Sequence, residues 1–157
     1  SDKVKSLQLE SKSNGRLNIH ADTYEYGGID ISGTIDAFVH NENSSYITYT
    51  VKDKDLTDHG GIKGWLFAHL SLAMLQKIVG PIQFDEDVQT SIHGNTVTVD
   101  YRDALNKSEL AQASIGGYSI LDAIFITEAI PHEGYIEFHT SLQLPSDVQN
   151  LLLNALE

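Results

Sequence analysis

The stretch "DHGGIKGWLFAHLSLAMLQKIVGP", residues 58 to 81, constrains the fold of this chain more than any other. An Asp-His pair and two glycines lead into apolar residues spaced at a helical period. Leu66, Leu70, Ala73 and Lys77 form one stripe, and Trp65, Leu72, Leu75 and Val79 lie close beside it. So wide an apolar arc predicts a deeply buried helix, ended by Gly80-Pro81. Lys63 and Lys77 bracket the run, leaving less than the roughly 18 apolar residues of a membrane span.

Strands are expected on both sides of that helix. In "RLNIHADTY", Leu17, Ile19 and Ala21 alternate with polar neighbours, the mark of a strand with one buried face. After the Gly27-Gly28 turn, "IDISGTIDAFV" sets Ile29, Ile31, Ile35, Ala37 and Val39 on one face, with Gly33 marking a bulge or a close approach. "YITYTV", after the "NENSS" turn, reads as a third strand. "DVQTSIHGNTVTVDY" reads as a hairpin, Val88 and Ile92 alternating before His93-Gly94-Asn95 and Val97, Val99 and Tyr101 after it. A second helix is predicted from about Ile115 to Ala129, with Leu121, Ile124 and Phe125 inward, stopped by Pro131.

"YIEFHTSLQL" shows the cleanest alternation in the chain. Ile136, Phe138, Thr140, Leu142 and Leu144 face one way, expected onto the helices. Tyr135, Glu137, His139, Ser141 and Gln143 form a polar row on the other side. "PSDVQNLLLNALE" closes with Pro145, a Ser146 cap and a short amphipathic helix. Residues 1–14, "SDKVKSLQLESKSN", read as a polar N-terminal tether, leaving residues 15–157 as a single domain. The expected fold class is α+β, in the order β-β-β-α-β-β-α-β-α, with two main helices packed on a mixed or antiparallel sheet.

Composition narrows the function classes. With 10 basic and 22 acidic side chains the formal net charge is −12. Such a surface repels phosphate backbones and anionic lipid, which argues against nucleic acid as a partner and against membrane insertion of this domain. The chain has no cysteine, so disulfides, zinc–thiolate sites and thiol nucleophiles are excluded. No P-loop, dinucleotide fingerprint or nucleophile elbow is present, and no cofactor is expected. The chain opens at "SDK" without Met, which reads as a fragment and leaves room for a removed leader or lipid anchor.

From the apolar helix onward the sequence resembles the GerMN domain of sporulation and spore-germination proteins. "LAMLQKIVGP" matches the Leu-rich helix with its Gly-Pro stop, "GNTVTVDYRDAL" the following hairpin, and "ILDAIFITEAIPHEGYIEFHTSL" the closing helix, turn and strand. The resemblance covers roughly residues 60 to 144. It implies a non-catalytic, extracytoplasmic binding or scaffolding module of a bacterial cell-envelope protein, such as a lipoprotein anchored at the cell surface, with a cell-wall or other envelope component as partner. It carries over no catalytic residues.

Several groups are candidates for chemistry. "DHGG" is similar to the helix entrance of hot-dog-fold thioesterases, where free N–H groups and the helix dipole polarise an acyl carbonyl. That is the rival enzyme reading, with Asp58 or His59 assisting a water in a dimer. In the structural reading Asp58 caps the helix and the glycines permit a tight bend. His69 lies on an apolar face with no second ligand at Ala73, so it reads as a core-edge residue. Glu137 and His139, with His132 and Glu133 in the preceding turn, have metal-ligand character, though a solvated strand face accounts for them as well and no metal is expected. "FDEDV" at 84 to 88 lacks the spacing that wraps Ca²⁺. "NSS" at 43 and "NKS" at 106 match glycosylation sequons. Seven tyrosines, Tyr24, Tyr26, Tyr46, Tyr49, Tyr101, Tyr118 and Tyr135, suffice for a glycan or peptide platform if several share a face. The binding residues singled out are the row Tyr135, Glu137, His139, Ser141 and Gln143.

Overall fold

A computed structural model describes residues 4–79 and 86–156, without the Val79 side chain. It is a mixed α+β fold built on one eight-stranded sheet whose pairings are all antiparallel. The strands are β1 (Val4–Ser11), β2 (Arg16–Thr23), β3 (Gly27–His40), β4 (Ser45–Leu56), β5 (Gln89–His93) and β6 (Thr96–Asp100). They lie in the order β1-β2-β3-β4-β6-β5. A two-stranded ribbon, β7 (Ser114–Ile115) and β8 (Tyr118–Ser119), precedes β9 (Ile124–His132) and β10 (Tyr135–Leu142). β10 pairs β9, and β9 joins the sheet through His40 opposite Ile126 on β3. The helices are α1 (Gly61–His69), α2 (Leu72–Val79), α3 (Arg102–Asn106), α4 (Ile120–Ala123) and α5 (Ser146–Leu156). Among the described residues no helix is long and apolar enough to cross a membrane.

The long partners β3 and β4 form the spine. Register shifts fall between Ser32 and Gly33 and between Ile35 and Ala37. The second inverts the alternation read from the sequence, since an extra residue in one strand turns those after it over. Phe38, rather than Ala37 or Val39, therefore continues the face of Ile29 and Ile31, and it meets Phe138 of β10 edge-on at 5.2 Å. Gly33 is a close approach, as expected. A Cβ there would stand 2.2 Å from the Thr50 carbonyl and 2.7 Å from the Tyr49 ring. Tyr49 crosses over Gly33 and donates its hydroxyl to the Leu17 carbonyl of β2 at 2.6 Å, and burial pushes its pKa up to about 12.

Five expectations are corrected. Residues 4–11, read as tether, form edge strand β1 in continuous register with β2. The second helix is reduced to the single turn α4. Ile124 to His132 is strand, and Pro131 sits inside β9, where only β10 pairs with it beyond Ile126. The apolar helix is two helices broken at Leu70, whose extended backbone (ψ 145°) ends α1. The Ser71 hydroxyl accepts from the Met74 N–H to begin α2. Nor is it deeply buried. α1 has no fully buried side chain, and Ile62, Trp65, Leu66, Met74 and Ile78 are exposed. The expected stop at Gly80-Pro81 lies outside the described residues. The apolar side of β10 packs on Phe38 of β3 instead of on helices, and Leu142 is exposed.

The buried apolar residues are few: Val51, Ala123, Ala129 and Val148. A polar staple supports them. Buried His40 donates from Nε2 to the Leu121 carbonyl at 2.8 Å, so its Nδ1 accepts from the Ser45 hydroxyl at 2.7 Å. Arg102 donates to Ser45 Oγ and to the carbonyls of Asn41 and Glu42. One turn, one helix start and α4 are tied together by this chain of hydrogen bonds. Gly33→Ala is expected to lower stability by about 1–3 kcal/mol through overpacking, and Tyr49→Phe by about 1 kcal/mol through one lost hydrogen bond. Urea unfolding followed by circular dichroism measures both.

Candidate binding surface

At the helix entrance, Asp58 does not cap α1. Its Oδ2 accepts from the Gly28 N–H at 2.8 Å, clasping the turn between β2 and β3, and a Cβ on Gly27 would stand 2.4 Å from that oxygen. The α1 N-cap is Gly60, which offers no side-chain acceptor. The His59 carbonyl lies where a Cβ on Gly64 would be, at 2.4 Å. Gly64 makes room for that backbone, Gly61 takes a φ of 67°, and the Asp58 carboxylate is engaged thirty residues away. His69 donates from Nδ1 to the Trp65 carbonyl at 2.9 Å and stacks on the Trp65 ring, exposed on α1 rather than at the core edge as expected.

The polar row on β10 is present, with one change of extent. Tyr135, Glu137, His139 and Ser141 alternate along the strand opposite Phe138, while Gln143 falls one residue past its end and donates weakly to Ser141 Oγ at 3.5 Å. The row is cross-linked rather than open. Glu137 pairs with His132 at 3.0 Å and with His139, and the far nitrogen of His139 meets Glu128 at 3.1 Å. Tyr135 stacks on the His132 ring at 4.8 Å. The hydrogen bond to Glu137, opposed in part by desolvation, holds the His139 pKa above the usual imidazole value. The hydrogen bond from His139, then that from His132, holds Glu137 below the usual carboxylate value. Among the described residues no group of three His, Asp or Glu is arranged to hold a metal ion. Of the acidic run at 84 to 88, Phe84 and Asp85 lie outside the described residues, and Asp87 pairs with Lys107.

A larger feature lies across β1 to β4 and was missed in the sequence. Cross-strand register builds two parallel polar rows, Gln8, His20, Asp30 and Asp55, then Glu10, Asn18, Ser32 and Asp53. Between them runs an open hollow of about 440 Å³, adjoined by a second of about 390 Å³ reaching Lys12, Arg16 and Glu133. His20 bridges Asp30 at 2.6 Å and Asp22 at 3.2 Å, and the Asp30 hydrogen bond raises its pKa. Arg16 donates to Ser32 Oγ and Asp53, both at 3.2 Å. The Asn18 side-chain oxygen is buried among these groups without a partner. Half of this surface belongs to strands whose pairing no local pattern reveals, and one wall comes from the segment read as tether.

Compared with known protein families, with curated proteins and with solved structures, the chain shows no significant match to any of them.

The Glu137–His139 network has a defined pH window. A histidine with a raised folded-state pKa adds stability fully present below its unfolded value of 6.5, and this is lost as pH rises through the folded value. Glu137, held low, adds stability present above 4.5 and lost as pH falls through its folded value. The contribution is greatest between those two values. His139→Gln is expected to flatten the fall in melting temperature between about pH 6 and pH 8, where an imidazole titrates, as differential scanning fluorimetry across that range reads directly.

Proposed function

We propose that the chain is a non-catalytic binding module of a bacterial cell-envelope protein, held outside the cell, whose polar sheet face binds a donor-rich envelope polymer. The polar hollow across β1 to β4 carries this reading. Its walls present carboxylates at Asp30, Asp53 and Asp55 and an unpaired amide oxygen at Asn18, all of them acceptors. A ligand suited to them brings O–H and N–H donors, as the hydroxyl and amino groups of a cell-wall glycan do. Repulsion from a chain of net charge −12 disfavours a phosphate-rich partner.

The resemblance to GerMN domains supports the envelope location and a binding rather than catalytic role. At the helix entrance, Asp58 is committed to the Gly28 amide, which leaves it unsuited to activating a water for acyl-thioester hydrolysis. α1 is also short and half exposed, whereas an acyl tunnel requires walls on both sides of the helix. The row Tyr135, Glu137, His139, Ser141 and Gln143 extends the polar face, with the Tyr135 ring as a stacking surface for a sugar.

Titration of ¹⁵N-labelled protein with purified cell-wall fragments is expected to shift amides of residues 8–10, 18–20, 30–32 and 53–55. Asp30→Asn with Asp53→Asn is expected to weaken binding at least tenfold, about 1.4 kcal/mol or more. Shifts confined to α1, or none, overturn the assignment. Turnover of any of a panel of acyl-CoA esters that is lost in His59→Ala would replace it with the thioesterase reading.

A further inference from the structure

We infer that two copies of this chain associate through the outer side of the α1–α2 run. Helices that are apolar all round are found covered, because a water-facing side chain of this size contributes no burial and exposes what the solvent disfavours. Here the inner side of α1 lies over β4, where buried Lys54 donates to the Ala68 carbonyl in its last turn at 3.3 Å. The outer side is bare. Ile62 is 79% exposed, Trp65 59%, Met74 52% and Ile78 68%. These residues are more than half exposed, and they include the chain's only tryptophan, with an imidazole stacked on it.

Charge selects the occupant. From His59 to Gln83 the chain carries no Asp or Glu, although it has 22 elsewhere. Two copies with a net charge of −12 repel over most approaches, and this is the stretch on which they can meet without juxtaposed carboxylates. Interface cores show that same depletion of charge and enrichment in Trp and Met. The overall charge equally disfavours an anionic bilayer as the covering surface. In a two-fold contact the patch meets itself, with Trp65 of each copy as the anchor and Lys63 and Lys77 at the rim.

Sedimentation velocity on the full chain, from about 1 to 100 µM to bracket a micromolar dissociation constant, is expected to show twice the monomer mass at the upper end. The single-tryptophan emission is expected to move to the red on dilution as Trp65 regains water. Ile62→Glu with Trp65→Glu is expected to be monomeric at every concentration with unchanged circular dichroism, since neither side chain is part of the core. A wild-type chain that stays monomeric at the upper concentration overturns the inference, as does a dimer that survives the double substitution. Binding of a monomeric chain to neutral phosphatidylcholine vesicles through Trp65 would assign the patch to a lipid surface instead.

Discussion

β3 is fourteen residues long and carries two hairpins on one edge. Its first half pairs β2 from Thr23 opposite Gly27 to Arg16 opposite Thr34, and its far end holds β9 at His40. The other edge is taken along its length by β4. The shift between Ile35 and Ala37 bends β3 and increases its local twist between the two partners on that edge. The hairpins on the shared edge then meet at their tips. Gly134 donates to the Ser11 carbonyl at 3.0 Å, Ser11 Oγ to the Tyr135 carbonyl at 2.8 Å, and Ser13 N–H to Glu133 at 3.0 Å. β1, which touches the rest of the sheet only through β2, gains a second anchor there.

Because the spine is a sheet with so little over it, backbone pairing and polar side chains carry much of what a larger apolar core would. Thr34 and Thr50 both donate to Asp36 at the second register shift, and Thr48 and Thr50 face Thr98 and Thr96 across the strands at 3.4 and 3.0 Å. A hydroxyl ladder of this kind contributes through cross-strand pairs at tenths of a kcal/mol each. It also leaves the whole face wet, continuous with the rows that end at His20 and Asp30. The same choice of residues that stabilises the sheet without burial lines that face with polar groups.

How much of this the sequence discloses depends on how local the deciding contact is. The hairpin of β5 and β6 is legible because its turn, with Gly94 at φ 61°, and its alternation sit within twelve residues. The two faces of β10 are legible for the same reason. "AIFITEAIP" is not. Ile124, Phe125 and Ile126 form a continuous apolar run, and such a run fits a buried strand as well as a helix. What decides for strand is β10 on one side, three to eighteen residues away across the Glu133-Gly134 turn, and β3 on the other, far off in the sequence. β1 fails differently. "VKSLQLES" has only Leu7 and Leu9 on its apolar side, and as an edge strand it leaves both exposed, so its pattern is too thin to separate from a linker.

"DHGG" illustrates why a motif's residue types do not fix its task. An acid, an imidazole and a flexible helix start are what an acyl-transfer site uses, and they are equally what a chain needs to leave a long strand and turn back over its own sheet. In this structure the partner of Asp58 is backbone. Its carboxylate reaches the Gly28 amide, the first turn-side donor of β3 not taken by β2's ladder, and Thr57 closes the same gap by donating its N–H to the Gly28 carbonyl at 2.9 Å. A Cβ at residue 28 would stand 2.1 Å from the Thr57 hydroxyl, so Thr57 packs against bare backbone there. The Gly27-Gly28 pair and the Thr57-Asp58 pair are therefore one unit of structure, written thirty residues apart. It is the device that brings α1 over β4.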